Sequence, residues 1–385
     1  MANFDSIIPR EGTSCVKYDL RNQVFGTEEV VPMWVADMDF ATPEFILQAL
    51  HRRLNHPLLG YSFRAQEFNE SLANWLFRRH ALSIDPQIVS FSPGVVTGLM
   101  VLTLAFTNPG DKIIVQPPVY PPFFEVPRAH ERIVINNPLK FDGERYSMDF
   151  DDLREKAPGV RMLILSNPHN PVGRAWERRE LEQLSEICIQ NDIMIVSDEI
   201  HSDIIFPGYR HTPLLSLDKE IGMRSASCFA PSKTFNIAGL STSAILIPDP
   251  QKRKIYNDTL ERFHLQMGNL LGNIAFEAAY NQGEDWLEEL LDYLHQSVRI
   301  ATHYFEEHLS PIHLVQPEAT YLLWLDFRGL HIPDDELHAH LIHKAHLGLN
   351  RGEEFGIEGK GFMRMNIACP HAILEKALES LKNIL

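Results

Sequence analysis

Between residues 57 and 282, six short apolar runs recur: KIIVQ, RIVIN, VRMLILS, DIMIVSD, SASCFA and SAILIP. Longer amphipathic stretches such as ERRELEQLSEICIQND separate them. Runs that are apolar at successive positions suit strands buried on both faces, and their alternation with helical stretches predicts a mostly parallel sheet flanked by helices. The predicted fold class is therefore α/β. In such sheets ligands bind at the carboxyl ends of the strands, so chemistry is expected just after each apolar run.

A chain of 385 residues exceeds one ordinary core, which predicts two lobes. We expect a large domain over residues 57–283 and a smaller α/β domain over 284–385. Residues 1–56 contain no strand–helix unit and are expected to pack with the small domain. One long helical stretch is expected over residues 252–293. Beyond it, TYLLWLDF and GFMRMNIAC read as strands of the smaller domain.

Charge and composition narrow the partners. With 35 basic and 51 acidic residues the formal net charge is −16, which argues against nucleic acid. No apolar run is long enough for a bilayer-spanning helix, and the first twenty residues lack a signal-peptide pattern. The four cysteines are far apart, as expected of reduced thiols in a cytoplasm. The 18 histidines fall into no metal-ligand spacing, and no metal is expected.

Four stretches carry candidate chemistry, and a fifth joins them. FSPGVVTGLM leads from Ser92 through Gly94, Val95 and Val96 into an apolar helix, whose free N–H groups form a cup for phosphate. By itself the stretch is a weak signal and reads more readily as an ordinary helix cap. In PPVYPPFF, prolines hold Tyr120 stiffly where it stacks on a flat ring or simply fills a core. LSNPHNPVGR holds two Asn-Pro turns that end a strand and either leave the Asn170 amide free for a ligand or form a bare turn, for which two such pairs are unusual. In IMIVSDEIHSDI, Asp198 closes an apolar strand and needs a cationic or N–H partner, from a ligand or from the protein. Finally, FAPSKTFNIAGL sets Lys233 behind Ser232 just past an apolar run. A buried ammonium there is costly unless it is paired or discharged, as it is in a Schiff base.

In this order the elements resemble the fold type I family of pyridoxal 5′-phosphate enzymes, over nearly the whole chain. WVADMDF, SNPHNPVGR, DEIHSDI and PSKTFNIAGL further resemble the MalY/PatB group of C–S β-lyases, within the class I/II aminotransferase superfamily. The resemblance implies pyridoxal 5′-phosphate as cofactor and an amino acid as substrate. It implies that Lys233 carries the cofactor and shuttles protons, and that Asp198 binds the pyridine nitrogen. Asn170 meets the ring oxygen, Tyr120 stacks on the ring, and Gly94, Val95, Val96 and Ser232 hold the phosphate. Arg364, in GFMRMNIACP, matches the arginine that clamps the substrate carboxylate, with Tyr120, Asn170 and Tyr61 around it. Tyr61, in LLGYSF, matches a tyrosine that reaches the phosphate of a neighbouring subunit, which implies a homodimer with shared sites.

Two positions depart from the aminotransferase pattern. Where many aminotransferases place a phosphate-binding arginine eight residues after the lysine, this chain has Ser241. Where they often place a tyrosine three residues after the aspartate, it has His201. Both fit the lyase group. The expected reaction is therefore β-elimination from cystathionine, cysteine or related S-conjugates, giving pyruvate, ammonia and a thiol. An aminotransferase is the alternative, and a cofactor-binding regulator without turnover comes behind it. A nucleotide-binding reading is poorer still, because no GxGxxG follows an early strand.

Overall fold

The computed structural model describes residues 2–385. Seven strands form its main sheet: β1 (Val89–Ser92), β2 (Lys112–Val115), β3 (Ile133–Asn136), β4 (Val160–Ser166), β5 (Met194–Asp198), β6 (Ser225–Phe229) and β7 (Ser243–Leu246). Their spatial order is β1-β7-β6-β5-β4-β2-β3. Only β7 runs against the rest, paired antiparallel with both β6 and edge strand β1. The six apolar runs are β2 to β7, and the sheet is mostly parallel as predicted.

The continuous apolar pattern has a direct cause. Successive side chains of a strand point to opposite faces, and both faces are covered. Met162 and Ile164 of β4 join one core cluster, while Leu163 and Leu165 join the other. Ile195 and Val196 of β5 divide in the same way.

A second, antiparallel sheet holds β8 (His313–Val315), β9 (Leu322–Asp326), β10 (Asn350–Arg351) and β11 (Phe362–Asn366), in the order β8-β9-β11-β10. In β11, Arg364 faces Trp324 on one side and Asn350 on the other. The N-terminal segment is tied to this region. Val31–Pro32 pairs in parallel with Leu347–Gly348, and the Asn366 amide donates to the carbonyls of Val35 and Asp37.

The long helix expected over residues 252–293 is three helices, α1 (Pro250–Arg262), α2 (Leu270–Gln282) and α3 (Glu284–His308). Gly268 at φ +67° takes a left-handed turn, and the Asn269 side chain then caps α2 through the Gly272 N–H. Gly283 separates α2 from α3.

Candidate active site

The carboxyl ends of the parallel strands open into a cavity of about 140 Å³. Gly94, Val95 and Val96 line it from beyond β1, Tyr120 from beyond β2, and Ser166 with Asn170 from the end of β4. Asp198 and His201 enter from β5, Ser232 and Lys233 from beyond β6, and Ser241 with Thr242 from the approach to β7. Every predicted residue of the constellation on these strands therefore meets at one place.

Lys233 is half-buried along the cavity wall, and its Nζ donates to the Ala36 carbonyl at 2.7 Å. Burial, then the nearby Arg364 cation, pulls its pKa down to about 8, although Asp37 and Asp198 oppose the shift. Asp198 behaves in the mirror sense. Burial raises its carboxyl to about 7, against the Ile200 N–H at 3.1 Å and the Lys233 charge. An acid held that way lacks a strong cationic partner. His201 is buried too, and burial together with Lys233 and Arg364 drops its pKa to about 3, so the ring is neutral. Among the described residues its Nδ1 has no hydrogen-bond partner.

Beyond Gly94, at φ +104°, a helix runs over Val95–Phe106. Among the described residues no side chain caps it, and Ser92 Oγ instead donates to the Gly94 carbonyl. Its first N–H groups face the cavity with the positive end of the helix dipole, as an anion site requires.

Arg364 is buried, and its guanidinium is held on three oxygens: Asn170 Oδ1 at 3.2 Å, the Trp34 carbonyl at 2.7 Å and Asn350 Oδ1 at 2.6 Å. Its Nε has no partner among the described residues, and the group lies 4.9 Å from the Phe355 ring centroid. Asn170 thus gives its carbonyl oxygen to Arg364, with the amide N–H groups left over.

Tyr61 does not join the cavity within this chain. It is 99% exposed, on a segment with exposed Leu58, Leu59 and Phe63.

Several contributors were not anticipated. Ala36, Trp34 and Asn350 hold the two cations, and Tyr321 donates its hydroxyl to the same Ala36 carbonyl. Ala36 and Trp34 lie in WVADMDF, and Asn236 pins that segment through the backbone of Met38 and Phe40.

The donor set fits pyridoxal 5′-phosphate. A poorly paired buried carboxylate suits a pyridinium N–H, and an uncapped helix end suits a phosphate. A lysine near neutrality suits the aldehyde. The fold and site together suit an enzyme that uses a phosphorylated cofactor. The chain belongs to the class I and II aminotransferase family, whose model matches residues 28–381. It is 42% identical to cystathionine beta-lyase PatB of Bacillus subtilis, over 99% of both chains. Among solved structures it resembles cystalysin from Treponema denticola, which contains a pyridoxal 5′-phosphate cofactor: 34% identity, TM-score 0.97, covering 100% of this chain and 98% of that one. The PLP-bound C–S lyase from Staphylococcus hominis is also 34% identical, at TM-score 0.93 over 100% and 98% of the two chains.

Proposed function

We propose that this chain is a pyridoxal 5′-phosphate-dependent C–S β-lyase acting on cystathionine, cysteine or related S-conjugates. The observation that carries the reading is the 42% identity with cystathionine beta-lyase PatB along 99% of both chains. The cavity chemistry agrees with it, and so does Ser241, which lines the cavity where many aminotransferases carry an arginine. The family's general description also covers aminotransferases, which remain the second reading.

When bound, the cofactor supplies an electron sink for the pair left as the Cα proton departs. The rest falls to this chain's residues. Lys233 would hold the cofactor aldehyde, and once freed its amine, with a pKa pulled down to about 8, would take up the Cα proton and pass one to the departing thiolate. The Ala36 carbonyl receives that amine whenever it is released. Asp198 would hold the pyridine nitrogen, and a cation there would pull the carboxylate back to its ionised form. Arg364 exchanges its bonds to protein oxygens for the two oxygens of the substrate carboxylate, which a planar fork matches. Tyr120 would lie against the cofactor ring, and Asn170 would meet its oxygen and the substrate. His201, kept neutral, adds no charge beside them. Ser232 would join the helix N–H groups around the phosphate.

The reading also includes a homodimer, supported by the exposed apolar segment around Tyr61. On that basis Tyr61 serves the phosphate and substrate of the second copy. Residues 57–283 would be the cofactor-binding domain and 284–385, with 1–56, the smaller one, in line with the separate seven-stranded and four-stranded sheets. A cytoplasmic location goes with four free cysteines. Among the described residues no helix is long and apolar enough to cross a membrane, and no group of side chains forms a metal site.

Purified protein given L-cystathionine without a 2-oxo acid tests the lyase reading. Continuous release of pyruvate, ammonia and a thiol supports it. Loss of cofactor colour after about one equivalent, restored only by a 2-oxo acid, supports the aminotransferase instead.

A further inference from the structure

Outside the lining of the cavity lies a buried carboxylate that the proposed reaction does not use. Asp203, on the loop after β5, accepts three hydrogen bonds. Trp75 Nε1 donates to Oδ1 at 3.0 Å, and His80 Nε2 meets the same oxygen at 2.9 Å. Thr234 Oγ1 donates to Oδ2 at 2.9 Å. All four residues are buried. His80 in turn touches the His211 ring, centroids 5.1 Å apart, and His211 pairs with the buried Glu199 at 2.8 Å.

A carboxylate in the interior is costly unless donors surround it. The donors here lower the Asp203 pKa although burial, the largest influence, pushes it up. Packing alone does not call for such an arrangement, since an apolar side chain of similar volume fills space more cheaply. What distinguishes the site is where its donors come from. Trp75 and His80 sit on the helix Gln66–His80, a fixed element, whereas Thr234 directly follows Lys233. Phe235, next along, packs edge-on against the same Trp75, with centroids 5.8 Å apart.

We propose that Asp203 is a positioning residue for Lys233: by tying Thr234 to Trp75 and His80, it fixes the turn from which the reactive amine projects. The proposal rests on the reading of Lys233 as the cofactor lysine. Slack at Thr234 passes through one peptide unit to the lysine Cα, and small misplacements of a reacting group are expensive in rate. Thr234 is suited to this task because its hydroxyl reaches the carboxylate while its backbone belongs to the lysine turn.

The test is the rate at which cofactor-free protein takes up pyridoxal 5′-phosphate covalently, followed by absorbance and by borohydride trapping on Lys233. Thr234→Val keeps the shape and loses the donor, and should slow uptake by roughly tenfold or more. Thr234→Ser keeps the hydroxyl and should stay within about threefold of the unmodified chain. Melting temperatures of folded variants separate slackened positioning from global loss. Uptake by Thr234→Val at the unmodified rate overturns the proposal. So does an equal loss in Thr234→Ser, which would assign the effect to the methyl contact. If Thr234→Val does not fold, Asp203→Asn carries the test: uptake slowed by roughly tenfold supports positioning, and unchanged uptake overturns it. An unmodified chain that never links the cofactor to Lys233 removes the underlying reading, and is recognised because no variant is needed to see it.

Discussion

Lys233 and Tyr321 donate to one carbonyl, that of Ala36, at 2.7 and 3.1 Å. A carbonyl has two lone pairs, so both donors fit, but each weakens the acceptor for the other. Tyr321 therefore keeps Ala36 from stabilising the charged amine too well. The Lys233 pKa lies at about 8, so its neutral fraction grows as pH rises through that value. Covalent cofactor uptake should climb with pH and level off above about 8, well below the range of an exposed lysine near 10.4. In Tyr321→Phe the freed carbonyl favours the ammonium, and the uptake curve should move to higher pH. A stopped-flow pH series checks this. A curve that stays in place, or moves to lower pH, contradicts the shared-acceptor argument.

Asp198 gives a stability prediction with a defined sign. Its folded pKa is raised to about 7, so between the ordinary carboxylate range and that value the native state binds more protons than the unfolded chain. Stability from this group is therefore present at low pH and is lost as pH rises toward 7. Asp198→Asn removes the buried charge. Cofactor-free Asp198→Asn should be more stable than the unmodified chain by roughly 2–4 kcal/mol at about pH 8, and the gap should close near pH 4. Loaded with cofactor, the order should reverse, because the pyridine nitrogen loses its anionic partner. Melting curves at the two pH values, with and without cofactor, measure all of this.

Arg364 is held by two amide oxygens and one backbone carbonyl, all of them neutral. A carboxylate is a better partner than any of the three, which makes the site ready to exchange. Arg364→Lys keeps the charge but cannot reproduce the fork. We expect kcat/KM to fall by a factor equivalent to about 1.5–3 kcal/mol, with little change in the cofactor spectrum. Kinetics matching those of the unmodified chain would show that another cation meets the substrate.

The strands were legible where burial on both faces writes an unbroken apolar run. Val89–Ser92 escapes this because half its residues are serines at the sheet edge. The break before α2 was also written in the sequence, as Gly268-Asn269, but apolar helical periodicity on either side masked it. The cavity residues on the main sheet were legible because strand ends and special residues coincide. Ala36 and Trp34 were not, because they act through backbone carbonyls, which carry no side-chain signature. Asn350 meets Arg364 through strand register, a long-range property of the sheet. Asp203 stood inside a quoted motif, yet its donors lie on elements far away in sequence.

Tyr61 is the residue whose role depends on a second copy. A tyrosine exposed over 99% of its surface, beside exposed Leu58, Leu59 and Phe63, is poorly placed in an isolated chain. If a partner copy covers this segment and receives Tyr61 in its cavity, each site is built from two chains. Tyr61→Ala and Lys233→Ala should then each be inactive as pure dimers. In a mixed dimer, one site would draw Tyr61 and Lys233 both from unmutated positions, and the other site would lack both. Equal amounts, exchanged to completion, should therefore recover roughly a quarter of the unmodified activity: half of the dimers are mixed, and each carries one intact site of two. Exchange is verified separately with tagged subunits. Full exchange without recovery would place Tyr61 outside the partner's site, and sedimentation as a monomer would dispose of the dimer as well.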